Sequence, residues 1–246
     1  QRGEDYLRDL DGGVSGKIVH LTVDSWIDAP TQAEYEASYF GFEGFRDRGL
    51  SALTNLHAVA GDPINKVKVI REFGDLEIAR NEGKLGVIAG NEGGKILGSD
   101  ISLLDAWFPM GLRHVQFNWA MPNKLSASQD QEDDPAQPGL TDFGRETIAK
   151  MNELGMIVDV SHSAPQSILD ALEPTTKPIL NSHSGGRSIA DKKQNLWDEQ
   201  IKAMADNGGV IGMHFCSRLV LGVNGVQAEI DDVVKQIRYV ADVGGI

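Results

Sequence analysis

Short apolar runs of strand length recur along this chain, each followed by a longer stretch with helical spacing, and that alternation constrains the fold more than any other feature. The runs are Lys17–Val23, Leu85–Ala89, His114–Phe117, Met156–Val160, Pro178–Asn181 and Val210–His214. Most are nearly continuous rather than alternating, which suits parallel strands covered on both faces. Between them lie helical patterns at Ile64–Asn81, Ser102–Met110, Thr141–Leu154, Ala164–Leu172 and Asp198–Asp206. Thr141 precedes one helix, which stops before Gly155. Ser163 is a candidate cap for the next, with Pro165 in its first turn, where a missing N–H costs nothing. Strand–helix alternation with right-handed crossovers leaves a barrel or a doubly wound sheet.

The chain has 246 residues, a length at which α/β barrels form a single unit. We therefore expect one domain over residues 1–246. Six strands are counted where a closed barrel of this type needs eight. The chain starts at Gln1 and stops at Asp242-Val243-Gly244-Gly245-Ile246; the expectation is an incomplete barrel with a strand missing at each end. A net charge of −13 with no Lys/Arg run argues against a nucleic-acid partner. One cysteine, Cys216, rules out an internal disulfide. No stretch has the ~18–20 apolar residues needed to span a bilayer, and no signal-peptide pattern is visible. The compartment is left open between cytoplasmic and periplasmic or secreted.

Residues 122–139, from Pro122 to Gly139, fit no element. They read as a long loop after a strand, either a carrier of binding function or a surface excursion.

Three strand ends carry polar chemistry. Leu85–Ala89 leads into Gly90-Asn91-Glu92-Gly93-Gly94; Val158-Asp159-Val160 leads into Ser161-His162-Ser163; and Pro178-Ile179-Leu180 leads into Asn181-Ser182-His183-Ser184. The carboxyl ends of parallel strands converge on the face where barrels carry their catalytic groups. Imidazole and carboxylate are standard zinc donors, and a thiolate site is impossible with a single cysteine. Ser161 and Ser182 are placed to orient the ligands from behind, and Asp159, inside an apolar strand, needs a partner or a histidine to hold. His20 reads as a packed core histidine, His57 as part of a helix–loop region, and His114 as a surface group. His214, at the end of its strand, is a further candidate for contact with substrate or metal.

The runs Gly90-Asn91-Glu92-Gly93-Gly94, Gly139-Leu140-Thr141-Asp142-Phe143-Gly144, Leu154–His162 and Pro178–Ser184, in that order, resemble the ordered motifs of the renal (membrane) dipeptidase family, peptidase M19. The resemblance spans about Tyr6 to Ile246. It implies a (β/α)8 TIM-type barrel of the metallo-dependent hydrolase kind, here about six of eight strands, with two zinc ions. Glu92 would be the bridging and catalytic carboxylate, and His162 and His183 would complete one zinc site. The ligands of the other, an H-x-D pair and a late Asp, would lie outside the chain. On that count the chain holds one complete half-site plus the bridge, and should not hydrolyse substrate alone. The implied reaction is hydrolysis of a dipeptide or related small amide. Its nucleophile would be a hydroxide shared by two ions roughly 3.5–4 Å apart, with an acid protonating the leaving amine. A homodimer is expected from the family alone.

Departures fall at the substrate-binding positions. The segment after the fourth strand reads Phe117-Asn118-Trp119, and Gln194-Asn195 stands where the family carries Arg-Asn for the substrate carboxylate. Lys192 or Lys193 are the nearest cations, without the planar fork of an arginine. A family tyrosine is replaced by Cys216. Asn118, Trp119, Gln194, Asn195 and His214 are therefore the expected substrate contacts. The same metal site acting on another amide or acyl substrate, and a degenerate barrel that only binds, are the two alternatives.

Overall fold

The computed structural model describes residues 3–24, 42–119, 123–135 and 139–246. They form two compact units, one of residues 1–115 with 154–156 and one of residues 116–153 with 157–246.

The first unit contains helix α1 (Gly3–Asp11), strand β1 (Gly16–Val23), α2 (Phe42–Gly61), β2 (Val67–Val69), α3 (Gly74–Asn81), β3 (Leu85–Glu92), α4 (Ser102–Trp107) and the start of β4 (Leu112–Gln116). The strand order is β1-β3-β4, with β2 also on β3. β1 and β2 both run parallel to β3. Leu85, Val87 and Ala89 are fully buried and pack with Tyr6, Leu53, Leu56 and Val67. That continuous burial is why β3 has no polar alternation.

The helical pattern expected over Ile64–Asn81 is corrected. Val67–Val69 is a strand, because Val67 is buried and the segment pairs with Leu85–Val87; the helix begins only at Gly74. Here the sheet edge overrides a helical periodicity.

The second unit contains α5 (Asp142–Leu154), β5 (Ile157–Asp159), α6 (Pro165–Leu172), β6 (Leu180–Ser184), α7 (Asp198–Asp206), β7 (Val210–Met213), α8 (Ser217–Leu221) and α9 (Ile230–Gly244). β5, β6 and β7 are neighbours in that order and parallel. Thr141 Oγ1 accepts from Gly144 N at 3.0 Å, capping α5, and Gly155 at φ 73° follows the helix end. Ser163 is not the cap of α6. Its hydroxyl donates to Asn118 Oδ1 at 2.9 Å, and Ala164 takes the N-cap position before Pro165.

Pro122 and residues 136–138 of the long loop lie outside the described residues; its described part is fastened, not an excursion. Leu125 and Ala127 are buried, and Ser128 bridges Ser163. Arg187 grips Glu132 with two bonds of 2.5 and 3.0 Å. That carboxylate holds the guanidinium well above its ordinary pKa. The result is an α/β fold with the parallel strands of an incomplete TIM-type barrel: the six strands counted from the sequence, and β2 beside them. Among the described residues no helix is long and apolar enough to cross a membrane.

Candidate metal centre

In the second unit, Asp159 at the end of β5 is fully buried. Its Oδ1 accepts from Ser161 N at 2.9 Å and Ser182 N at 3.1 Å, so one carboxylate ties the turns after two neighbouring strands. The Ser161 hydroxyl carries the link onward. It donates to Asn181 Oδ1 (2.8 Å) and accepts from His183 N (3.1 Å). Ser182 Oγ lies 2.8 Å from His183 Nδ1 and 3.5 Å from Gln116 Oε1. A hydroxyl that donates to Gln116 is free to accept from Nδ1–H, and that tautomer leaves the lone pair on Nε2, the form a metal ligand needs.

His162 occupies a left-handed backbone conformation, φ 64°, unusual for a residue with a Cβ and typical of over-determined sites. The fastened loop holds it there: Gln129 N donates to His162 O at 2.7 Å. The outcome is two imidazoles facing each other, with His183 Nε2 and His162 Nε2 2.9 Å apart. This separation is somewhat shorter than the ~3.3 Å between two nitrogen ligands that are each ~2.0–2.1 Å from one tetrahedral ion. Gln194 Nε2 lies 3.2 Å from His162 Nε2 and 2.7 Å from His214 Nε2. The His214 ring stands edge-on to His183 at 5.0 Å between centroids, and Trp119 is 6.2 Å from the His162 ring. His162, His183, His214, Gln194 and Trp119 thus gather at one place.

Asn118 and Asn195 have other partners. Asn118 Nδ2 donates to Ser126 O at 3.1 Å, while its Oδ1 accepts from the Ser126 and Ser163 hydroxyls. Asn195 Nδ2 donates to the carbonyls of Ala190 and Leu219. Both amides hold loops together. Lys193 pairs with Asp133 at 3.1 Å and Glu132 at 3.6 Å.

In the first unit, Glu92 closes β3. Its carbonyl accepts from Asp24 N at 2.8 Å, and its Oε2 lies 3.2 Å from His20 Nδ1. Gly93 then turns at φ 102°; a Cβ there would overlap the Asp24 carboxyl, which accepts from Lys95 N at 2.8 Å. Burial pushes the Lys95 ammonium below its ordinary pKa, with Asp24 opposing. Two histidine expectations change here. His20 is partly exposed and faces Glu92 rather than an apolar core. His114 is fully buried, not superficial, with its ring stacked on His20 at 5.4 Å. In the sequence His20 reads only as a histidine inside a strand, and its closeness to Glu92 depends on the β1–β3 register. His57 bonds the Met110 carbonyl at 2.6 Å.

The facing imidazoles of the second unit, with a hydroxyl, amide and carboxylate shell behind them, are donors that suit a divalent zinc-type ion, and the Glu92 carboxylate of the first unit is a donor of a type that suits the same kind of ion.

Solved proteins share this architecture. An amidohydrolase from Pseudomonas aeruginosa superposes with a TM-score of 0.83 at 22% identity, covering 100% of this chain and 68% of its own. A metallo peptidase from Rhodobacter sphaeroides, liganded with a phosphinate mimic of the dipeptide L-Ala-D-Ala, gives 0.83 at 21% identity, covering 97% and 73%. An uncharacterized dipeptidase of Schizosaccharomyces pombe is 30% identical over 68% of the chain, which spans only 40% of that relative's length. The family model of membrane dipeptidase (peptidase family M19) matches residues 6–246. With matching motifs at the ends of β3, β5 and β6, the chain belongs to the membrane dipeptidase family, peptidase family M19.

Proposed function

We propose that this chain supplies metal ligands to a zinc-dependent hydrolase of dipeptides or related small amides. Glu92 is the shared carboxylate, and His162 and His183 are the imidazole ligands of one of two ions. One observation carries the reading: two Nε2 atoms face each other at 2.9 Å, with the His183 ring held by Ser182 and the His162 backbone held by Gln129. The dipeptide mimic bound by the Rhodobacter sphaeroides metallo peptidase supports the substrate class.

Bound zinc would acidify a water molecule and polarise the scissile carbonyl. The residues of the chain do the rest. Asp159 and Ser161 hold the β6 turn that carries His183; Ser182 holds its ring. Trp119 offers an apolar wall, and Gln194 and His214 offer polar atoms beside the ligands. Gln194 also favours a second reading of the same site. A neutral amide between His162 and His214 recognises a substrate without requiring its free carboxylate, so other amides or acyl compounds fit as well.

The full-length protein, purified without chelator, should carry about two zinc equivalents, and His183→Ala in it should remove at least one; elemental analysis measures both. Metal-free yet active protein would overturn the proposal. Comparison of free and carboxyl-blocked dipeptides separates the two substrate readings.

A further inference from the structure

The Glu92 carboxylate has a histidine at its side that no motif in the chain points to. His20 Nδ1 lies 3.2 Å from Glu92 Oε2, across the β1–β3 pairing, with 23% and 13% of the two side chains exposed. The register explains the meeting. His20 pairs with Gly90, and the pairing then slips between His20 and Val23, so that Val23 comes opposite Glu92. Such an irregularity re-aims side chains at a strand end. The imidazole is braced from behind. The His114 ring stacks on it, 5.4 Å between centroids and 14° from parallel, and His114 is fully buried. Gly90 makes this possible, because a Cβ there would overlap His114 Nδ1 and press on Ile18.

We infer that His20 is a positioning residue for Glu92: its Nδ1–H donates to Oε2 and holds the carboxylate in the orientation that an ion would use. The inference rests on the proposed role of Glu92 as a metal ligand. A glutamate side chain has three rotatable bonds, and ordering it takes about 1.5–2 kcal/mol of rotamer entropy. A braced imidazole removes much of that cost before any ion arrives. Groups that orient ligands in this way typically change metal affinity ~10–100-fold.

The test is zinc affinity of the intact chain, measured by competition with a chromophoric chelator for wild type, His20→Ala, His20→Asn and Glu92→Ala. Cobalt(II) absorption spectra of the same proteins serve as a second readout. His20→Ala should weaken zinc ~10–100-fold and alter the cobalt spectrum. His20→Asn, whose amide N–H sits where Nδ1–H does, should recover most of the loss, which a merely structural role for the ring would not allow. In metal-free wild type, imidazole nitrogen NMR should find the His20 proton on Nδ1. If Glu92→Ala loses zinc while His20→Ala keeps wild-type affinity and spectrum, this inference fails and the metal proposal stands. If Glu92→Ala also binds zinc as wild type does, the role of Glu92 as a ligand fails and takes this inference with it.

Discussion

The two units hold their candidate ligands by different means. In the second unit, His162 and His183 stand on a web made mostly by their sequence neighbours. Asp159, Ser161 and Ser182 lie within three residues of one or other imidazole and anchor both turns through backbone and hydroxyl bonds. In the first unit Glu92 has glycine on its C-terminal side, and the imidazole beside it is 72 residues away on another strand. Local motifs make a support that neighbouring residues specify. A long-range pairing makes a support that depends on strand register.

The largest effect that would sharpen this contrast is Asp159→Ala. Its removal leaves one buried and one partly buried N–H group without their acceptor, at about 1–3 kcal/mol each. We expect a loss of about 4 kcal/mol in urea unfolding, together with loss of zinc from the imidazole pair. A change below about 1 kcal/mol would show that the web is not rooted at that carboxylate.

Gly93→Ala comes next. At φ 102°, with a Cβ falling on the Asp24 carboxyl, strain and overpacking together should cost about 3 kcal/mol. The loss should appear as faster amide exchange along β3 and β1, with the β5–β6 turns unaffected. Equal loosening in both units would break the comparison.

Ser182→Ala should have the smallest effect. The His183 ring keeps its backbone anchor at Ser161 and loses only the Nδ1 partner. We expect stability within about 1 kcal/mol of wild type and zinc binding weakened by less than ~10-fold. A loss of affinity as large as that of His20→Ala would mean that local support tolerates the loss of a ring partner no better than the long-range pairing does.

Much of the fold and part of the site were legible without coordinates. Near-continuous apolar runs reported β1, β3, β4, β5, β6 and β7; burial on both faces accounts for the pattern in β3 and β4, whose residues are mostly buried. β2 was not legible. Three residues are too few to establish a period, and Val67–Val69 becomes a strand only by pairing with Leu85–Val87. The serines beside His162 and His183 were legible because a residue one or two positions from a ligand has few places to go. Asn118 and Asn195, expected at substrate, hold loops through carbonyls and hydroxyls that are distant in sequence or on a separate turn.

By itself, the sequence determined which residue types stand at the strand ends and which neighbours support them, since both follow from strand periodicity and from backbone geometry over a few residues. Only the tertiary structure decided that His20 leans on Glu92, that His114 is buried behind it, and that a fastened loop holds His162 left-handed. Those facts depend on strand register and on contacts between segments tens of residues apart, where a one-residue slip reverses every side chain and no local pattern records the choice.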